Sequence, residues 1–146
     1  MSEQGSWEEF VIGLCDLAVK YDADTFLYEG VVVMSARVIQ PDGQSRGSIR
    51  VTRFDDEAAS IETGWCFNMF VDYVAGDRDR PVPALGLVEA ICSGNAEEHC
   101  LIDGDGHWVG VVRDAWSPDG CRWESGSLDS PERRATRRFP SWIGPN

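Results

Sequence analysis

The chain has 146 residues, a net charge of −12, 42% hydrophobic residues and six tryptophans. That length fits one domain with a core of its own; no run approaches the ~18 apolar residues of a membrane helix, and the opening "MSEQGSWEEF" lacks the basic-then-apolar order of a signal peptide. The expectation is a soluble cytoplasmic protein, and a body this negative repels phosphate backbones and anionic lipid, which argues against direct nucleic-acid or membrane binding.

In "SWEEFVIGLCDLAVKYDAD", Ser6 stands three residues before Glu9, the spacing of a capping box. Phe10, Leu14, Leu17 and Tyr21 follow at helical spacing, which predicts a helix from about Trp7 to Tyr21. Glu8 and Glu9 suit the positive end of its dipole, and Lys20 the negative end. The apolar stripe needs a partner, and the β-branched runs "YEGVVVMSARVIQ" and "SIRVTRF" supply strands around the reversing loop "PDGQSRG". "DDE" breaks the pattern before "ASIETGWCFNMFVDYV". There Trp65, Phe67, Met69, Val71 and Tyr73 alternate with Cys66, Asn68, Phe70, Asp72 and Val74; apolar on both faces, the run predicts a central strand.

"AGDRDRPVP" reads as a loop, and "PALGLVEAICSGN" as a second helix with Pro83 in its first turn and Gly94-Asn95 as its stop. "EEHCLI" and "HWVGVVRDAW" predict strands flanking "DGDG". Read as a calcium loop, Asp103, Asp105 and His107 would take the first, third and fifth positions, but Trp108 replaces the glycine the sixth requires and Asp114 the closing glutamate. Asp-Gly between apolar runs is hairpin chemistry, so a hairpin and no metal is expected.

The last thirty residues are poor in periodicity, and Phe139, Trp142 and Ile143 are the candidates to anchor them. Residues 131–146 hold Glu132 against Arg133, Arg134, Arg137 and Arg138, a local +3 that leaves −15 on residues 1–130. In "RRATRR", the arginine-framed threonine suits a modification site, an anion-binding arm or a solvated tail. The organisation expected is a single α+β domain over 1–130, with 131–146 a basic C-terminal tail, part of that domain or frayed. Its fold class is α+β: a mainly antiparallel sheet with two helices packed on one face, a two-layer sandwich with an irregular C-terminal tail.

No reaction is legible. The five cysteines include no CxxC pair, and Cys15, Cys66 and Cys92 sit in apolar runs as small buried hydrophobes. Cys92, His99, Cys100, His107 and Cys121 lack the paired spacings of a zinc site. Hydrolase, zincin, P-loop and dinucleotide signatures are missing, and no cofactor is expected.

What remains is acid on predicted turns: Asp22 and Asp24 after the first helix, Asp55, Asp56 and Glu57 together, Glu97 and Glu98 before the late hairpin, and Asp103 and Asp105 at its tip with Trp108 beside them. Charge that steers an encounter and an aromatic that anchors it suit a basic protein partner. The functional expectation is therefore a non-catalytic inhibitor of the immunity or antitoxin kind, covering a basic surface of a toxin or nucleic-acid enzyme. Its binding residues would be Asp22, Asp24, Asp55, Asp56, Glu57, Asp103, Asp105 and Trp108. The rivals are a small-ligand enzyme or binder, its pocket lined by His99, Asp72 and Glu62 among Trp65, Phe67 and Tyr73, and an adaptor or secretion chaperone using an aromatic sheet face.

Overall fold

The computed structural model describes residues 4–37, 47–64, 67–74, 82–118, 120–126 and 133–143. Over these the chain runs α1 (Gln4–Lys20), β1 (Ala23–Tyr28), β2 (Val31–Ala36), β3 (Ser48–Arg53), β4 (Ala58–Thr63), β5 (Phe67–Asp72), α2 (Pro83–Cys92), β6 (Ala96–Ile102), β7 (Trp108–Trp116), β8 (Arg122–Ser125) and β9 (Arg133–Arg138). The class is α+β, as expected. The loop over 41–46, the loop over 75–81, Trp65, Cys66 and the side chain of Ser6 lie outside the described residues. The helix itself starts at Gln4, which places Ser6 inside it instead of before it.

All strand pairs are antiparallel, and they form two sheets where one was expected: β1-β2-β3-β4-β5 and β8-β7-β6-β9. The first sheet closes by short reversals at every connection described. Glu29-Gly30 folds the expected single strand "YEGVVV" into a hairpin that pairs Tyr28 with Val31. Gly64, at φ +65°, splits the long aromatic run into β4 and β5, so β5 is an edge strand instead of the centre. β1 was not foreseen, although Ala23, Thr25 and Leu27 alternate with Asp24, Phe26 and Tyr28.

One face of the first sheet is apolar by strict alternation: Val32, Met34, Ile49, Val51, Ala59, Ile61, Phe67 and Met69 are buried. Phe10, Leu14 and Ala18 of α1 and Leu87 and Ile91 of α2 join them in one core. α2 packs against α1, β4, β5 and β7, which explains why Ala84, Leu87, Val88, Ala90, Ile91 and Cys92 are all buried on so short a helix. It stops as expected: the Asn95 amide donates to the Ala90 carbonyl (2.8 Å), with Gly94 at φ +83°.

The C-terminal segment is not wholly irregular. Arg133–Arg138 adds β9 to the second sheet, because β6 otherwise leaves its backbone groups on that side without partners. Phe139 and Trp142 then enter the core, while Ile143 stays partly exposed.

Candidate partner-binding surface

The eight residues expected to bind a partner fall at three separate places. The first is the α1–β1 junction. Asp22 adopts φ +52°, a left-handed conformation that aspartate tolerates better than most residues, and turns the chain into β1. Arg37, just past β2, donates from Nε to Asp24 Oδ1 (2.7 Å) and from Nη1 to Asp22 Oδ1 (3.3 Å). All three side chains are about half exposed, so these pairs are worth little stability and are open to exchange for another cation.

The second place is the β3–β4 turn, Asp55 to Glu57. Asp55 Oδ1 accepts from the amides of Glu57 (2.8 Å) and Ala58 (2.7 Å), and these bonds hold its carboxyl below the usual carboxylate range. Tyr73 Oη donates to the Asp55 carbonyl (2.6 Å), tying the turn to the core. Arg53 pairs with Asp56, while Glu57 is exposed.

Beside this turn stands an aromatic pair that the sequence reading passed over. Phe54 is 67% exposed and Phe70 63% exposed, their ring centroids 5.3 Å apart and nearly perpendicular. Register explains the meeting. Thr52, Ser60 and Phe70 lie in one cross-strand row on the face away from the helices, and Ala58 and Asp72 in the next, so both rings lie over small residues with Asp72 on the same face. The signal was present: in "SIRVTRF" and "FNMFVD" the rings occupy the alternation phase of Arg50, Asn68 and Asp72, the outward phase.

The third place is the β6–β7 hairpin tip. Asp103 Oδ1 accepts the amides of Asp105 and His107, both at 2.9 Å, and Gly106 takes φ +83°, so aspartate and glycine do make a reversal. Pairing shifts between Leu101↔Gly110 and Ile102↔Trp108, leaving Val109 as an extra residue in β7. Trp108 and Val109 are both more than half exposed. Donor atoms of Asp103, Asp105 and His107 lie within 4.8 Å of one another, close enough to touch one cation. Calcium takes six to eight oxygens, which this trio does not supply.

The three places are not one patch. Asp24 pairs with Ser35 at one end of the first sheet, while Tyr28, Val31 and Thr52 form a row four residues along, ~14 Å away at roughly 3.4 Å per residue, and the 55–57 turn lies beyond that row. The hairpin tip belongs to the second sheet.

Two further acids do not behave as turn acids. Glu97 and Glu98 lie within β6, and Glu98 is completely buried. Register sets it between Arg113 of β7 and Arg137 of β9, with Arg137 Nη1 4.0 Å from its Oε1. Glu97 is 3.2 Å from His99 Nε2, and His99 Nδ1 is 2.8 Å from Thr136 Oγ1, so both ring nitrogens of the histidine are engaged within the sheet.

The residues expected to line a ligand pocket do not converge. His99 is on the second sheet, Phe67 and Tyr73 are in the core, and Asp72 and Glu62 face different clefts. Glu62 instead joins Arg50, Asn68 and Arg113 around an open cleft of about 500 Å³. No helix among the described residues is long and apolar enough to cross a membrane. The chain matches no protein-family model, no curated protein and no solved structure.

Proposed function

We propose that this chain is a non-catalytic acidic binding protein, an inhibitor of the immunity or antitoxin kind that covers a basic surface of a toxin or nucleic-acid enzyme. One observation carries the reading: exposed carboxylates on turns lie within three residues of exposed aromatic rings along the chain, Asp56 and Glu57 after Phe54, which packs on Phe70, and Asp105 before Trp108. Long-range attraction from a net charge of −12 would gather a basic partner, and the rings would supply the desolvated contact that holds it. The dispersal of the acids suits a broad basic surface touched at several points, of which one encounter need not use all.

The test is to purify the complex from the native cell, identify the bound protein, and measure association of the two pure components from low to high salt. A basic partner whose association slows steeply with salt supports the reading; an acidic partner, or a rate indifferent to salt, refutes it. A second reading, a binder of small polar ligands, draws support from the cleft where Arg50, Glu62, Asn68 and Arg113 meet. Its signature would be a metabolite retained through purification and released when Arg50 or Arg113 is replaced.

A further inference from the structure

Among the described residues β1 and β5 each lack a strand on their outer side, and the composition of β1 is unusual for an edge. Natural edge strands are blunted by charge, shortness or a covering element. β9, at one margin of the second sheet, carries four arginines, and β8, at the other, has four residues. β5 faces a cleft lined by Arg113, Arg122 and Glu124 of the second sheet. β1 is six residues long, and Thr25, Phe26, Leu27 and Tyr28 are a run of four without charge. Phe26, Leu27 and Tyr28 are all about half exposed or more.

The backbone decides what such an edge accepts. Arg37 donates its amide to the Asp22 carbonyl (3.0 Å), one rung beyond the Ala23↔Ala36 pair. Antiparallel pairing alternates, so Asp24, Phe26 and Tyr28 bond to β2, and Ala23, Thr25 and Leu27 direct their N–H and C=O groups away from it. Side chains alternate across the same strand: Phe26 and Tyr28 lie on the open face beside Val33 and Val31, and Leu27 on the helix side beside Val32. An added strand would gain ladder bonds at Thr25 and Leu27 and apolar contacts on both faces.

The charge bordering this strip selects the occupant. Asp22, Asp24 and Glu29 flank it. Arg37 is already engaged by Asp22 and Asp24, and Arg53, across from Gly30, by Asp56. A second copy of this chain would bring three more carboxylates and another −12 to the same edge. We infer that β1 is a strand-addition site for an extended segment of a basic partner, with β-branched or aromatic residues at its centre and lysine or arginine at its ends. The inference rests on the proposed function only for the sign of the partner's charge.

A display library of random twelve-residue peptides selected on the full chain tests it. The expected winners carry an apolar β-branched run flanked by basic residues. Their binding falls at least tenfold in Leu27→Lys, and likewise in Thr25→Pro, which removes an outward amide without touching the β1–β2 ladder. On binding, the amides of Thr25 and Leu27 become protected from hydrogen exchange. Should Thr25→Pro fail to fold, Leu27→Lys and the exchange measurement decide. Absence of enriched peptides, winners with acidic flanks, or affinity unchanged in Leu27→Lys overturns the inference, as does dimerisation of the wild-type chain that Leu27→Lys abolishes. Failure here leaves the proposed function standing if Asp56→Lys/Glu57→Lys or Asp105→Lys still weakens the native complex while Leu27→Lys does not.

Discussion

Gly64→Ala should destabilise the protein more than an alanine at a described turn glycine that faces open space, such as Gly106. Two costs add. Gly64 sits at φ +65°, where an L side chain is penalised by about 1–2 kcal/mol. A methyl carbon there would also lie 2.6 Å from both Oε1 of Glu98 and Cζ of Phe139. Neither neighbour yields cheaply: Glu98 is fully buried, and Phe139 is buried edge-on against Phe67. Overpacking of this kind costs about 1–3 kcal/mol. The sum is about 2–5 kcal/mol, a large share of the ~5–15 kcal/mol expected for a folded domain, and on the order of 10 °C in Tm. Gly106→Ala is the control, since Gly106 has φ +83° with nothing within 4 Å, so only the conformational cost applies. Urea unfolding of the two variants isolates the packing between the β4–β5 turn and the second sheet. Equal losses would refute the argument, for they would mean that Glu98 and Phe139 give way and that the joint between the sheets is loose.

Trp142→Ala should cost about 3–5 kcal/mol by urea unfolding, because a fully buried indole is removed; a loss below 1 kcal/mol would mean that the C-terminal segment does not belong to the core. Asp56→Lys/Glu57→Lys and Asp105→Lys should each slow association with the proposed basic partner about tenfold at low salt, with little effect on stability, in stopped-flow measurements. Asp55 has a depressed pKa, so the stability it contributes is full above its unfolded value of ~3.9 and is lost as pH falls through its lower folded value. Asp55→Ala should therefore flatten the acid limb of a stability–pH profile while leaving the neutral-to-alkaline limb parallel to wild type. Among the described cysteines, brief alkylation followed by mass spectrometry should modify exposed Cys121 first and Cys92 last, since burial pushes the Cys92 thiol well above its ordinary pKa.

Local chemistry was legible where one short segment determined it. The α1 stripe, Pro83 opening α2, Gly94 closing it, and aspartate and glycine reversing β6 into β7 each depend on neighbours in sequence. The partition into two sheets depends on which strands find each other. "GWCFNMF" carries the same alternation whether its strand is central or at an edge, and only Gly64 marked the break. β9 was illegible for a related reason: four arginines in six residues suppress the apolar alternation that identifies a strand, and the segment pairs because β6 offers it a ladder. Glu98 misled most. A carboxylate next to Glu97 reads as solvent-facing, and only the register that sets it between Arg113 and Arg137 accounts for its burial.

The acids expected to bind a partner turn out to have unequal freedom to do so, and this narrows the proposed interface. Asp55 and Asp103 spend one carboxylate oxygen each on two amides of their own turns, so replacing either removes a loop as well as a charge. A variant at those positions that abolished binding would not distinguish contact from shape. Asp56, Glu57 and Asp105 stand on the frameworks those two residues build, exposed and one or two positions from them. The pattern is a division of labour within each turn: the first aspartate fixes the backbone, and the acids that follow, Asp56 in an exchangeable pair with Arg53, are exposed within three residues of Phe54 or Trp108. Preorganised charge next to a rigid ring loses little entropy on binding. If this division holds, Asp105→Lys and Asp56→Lys/Glu57→Lys will change the association rate at unchanged unfolding midpoint, whereas Asp103→Ala will lower both together.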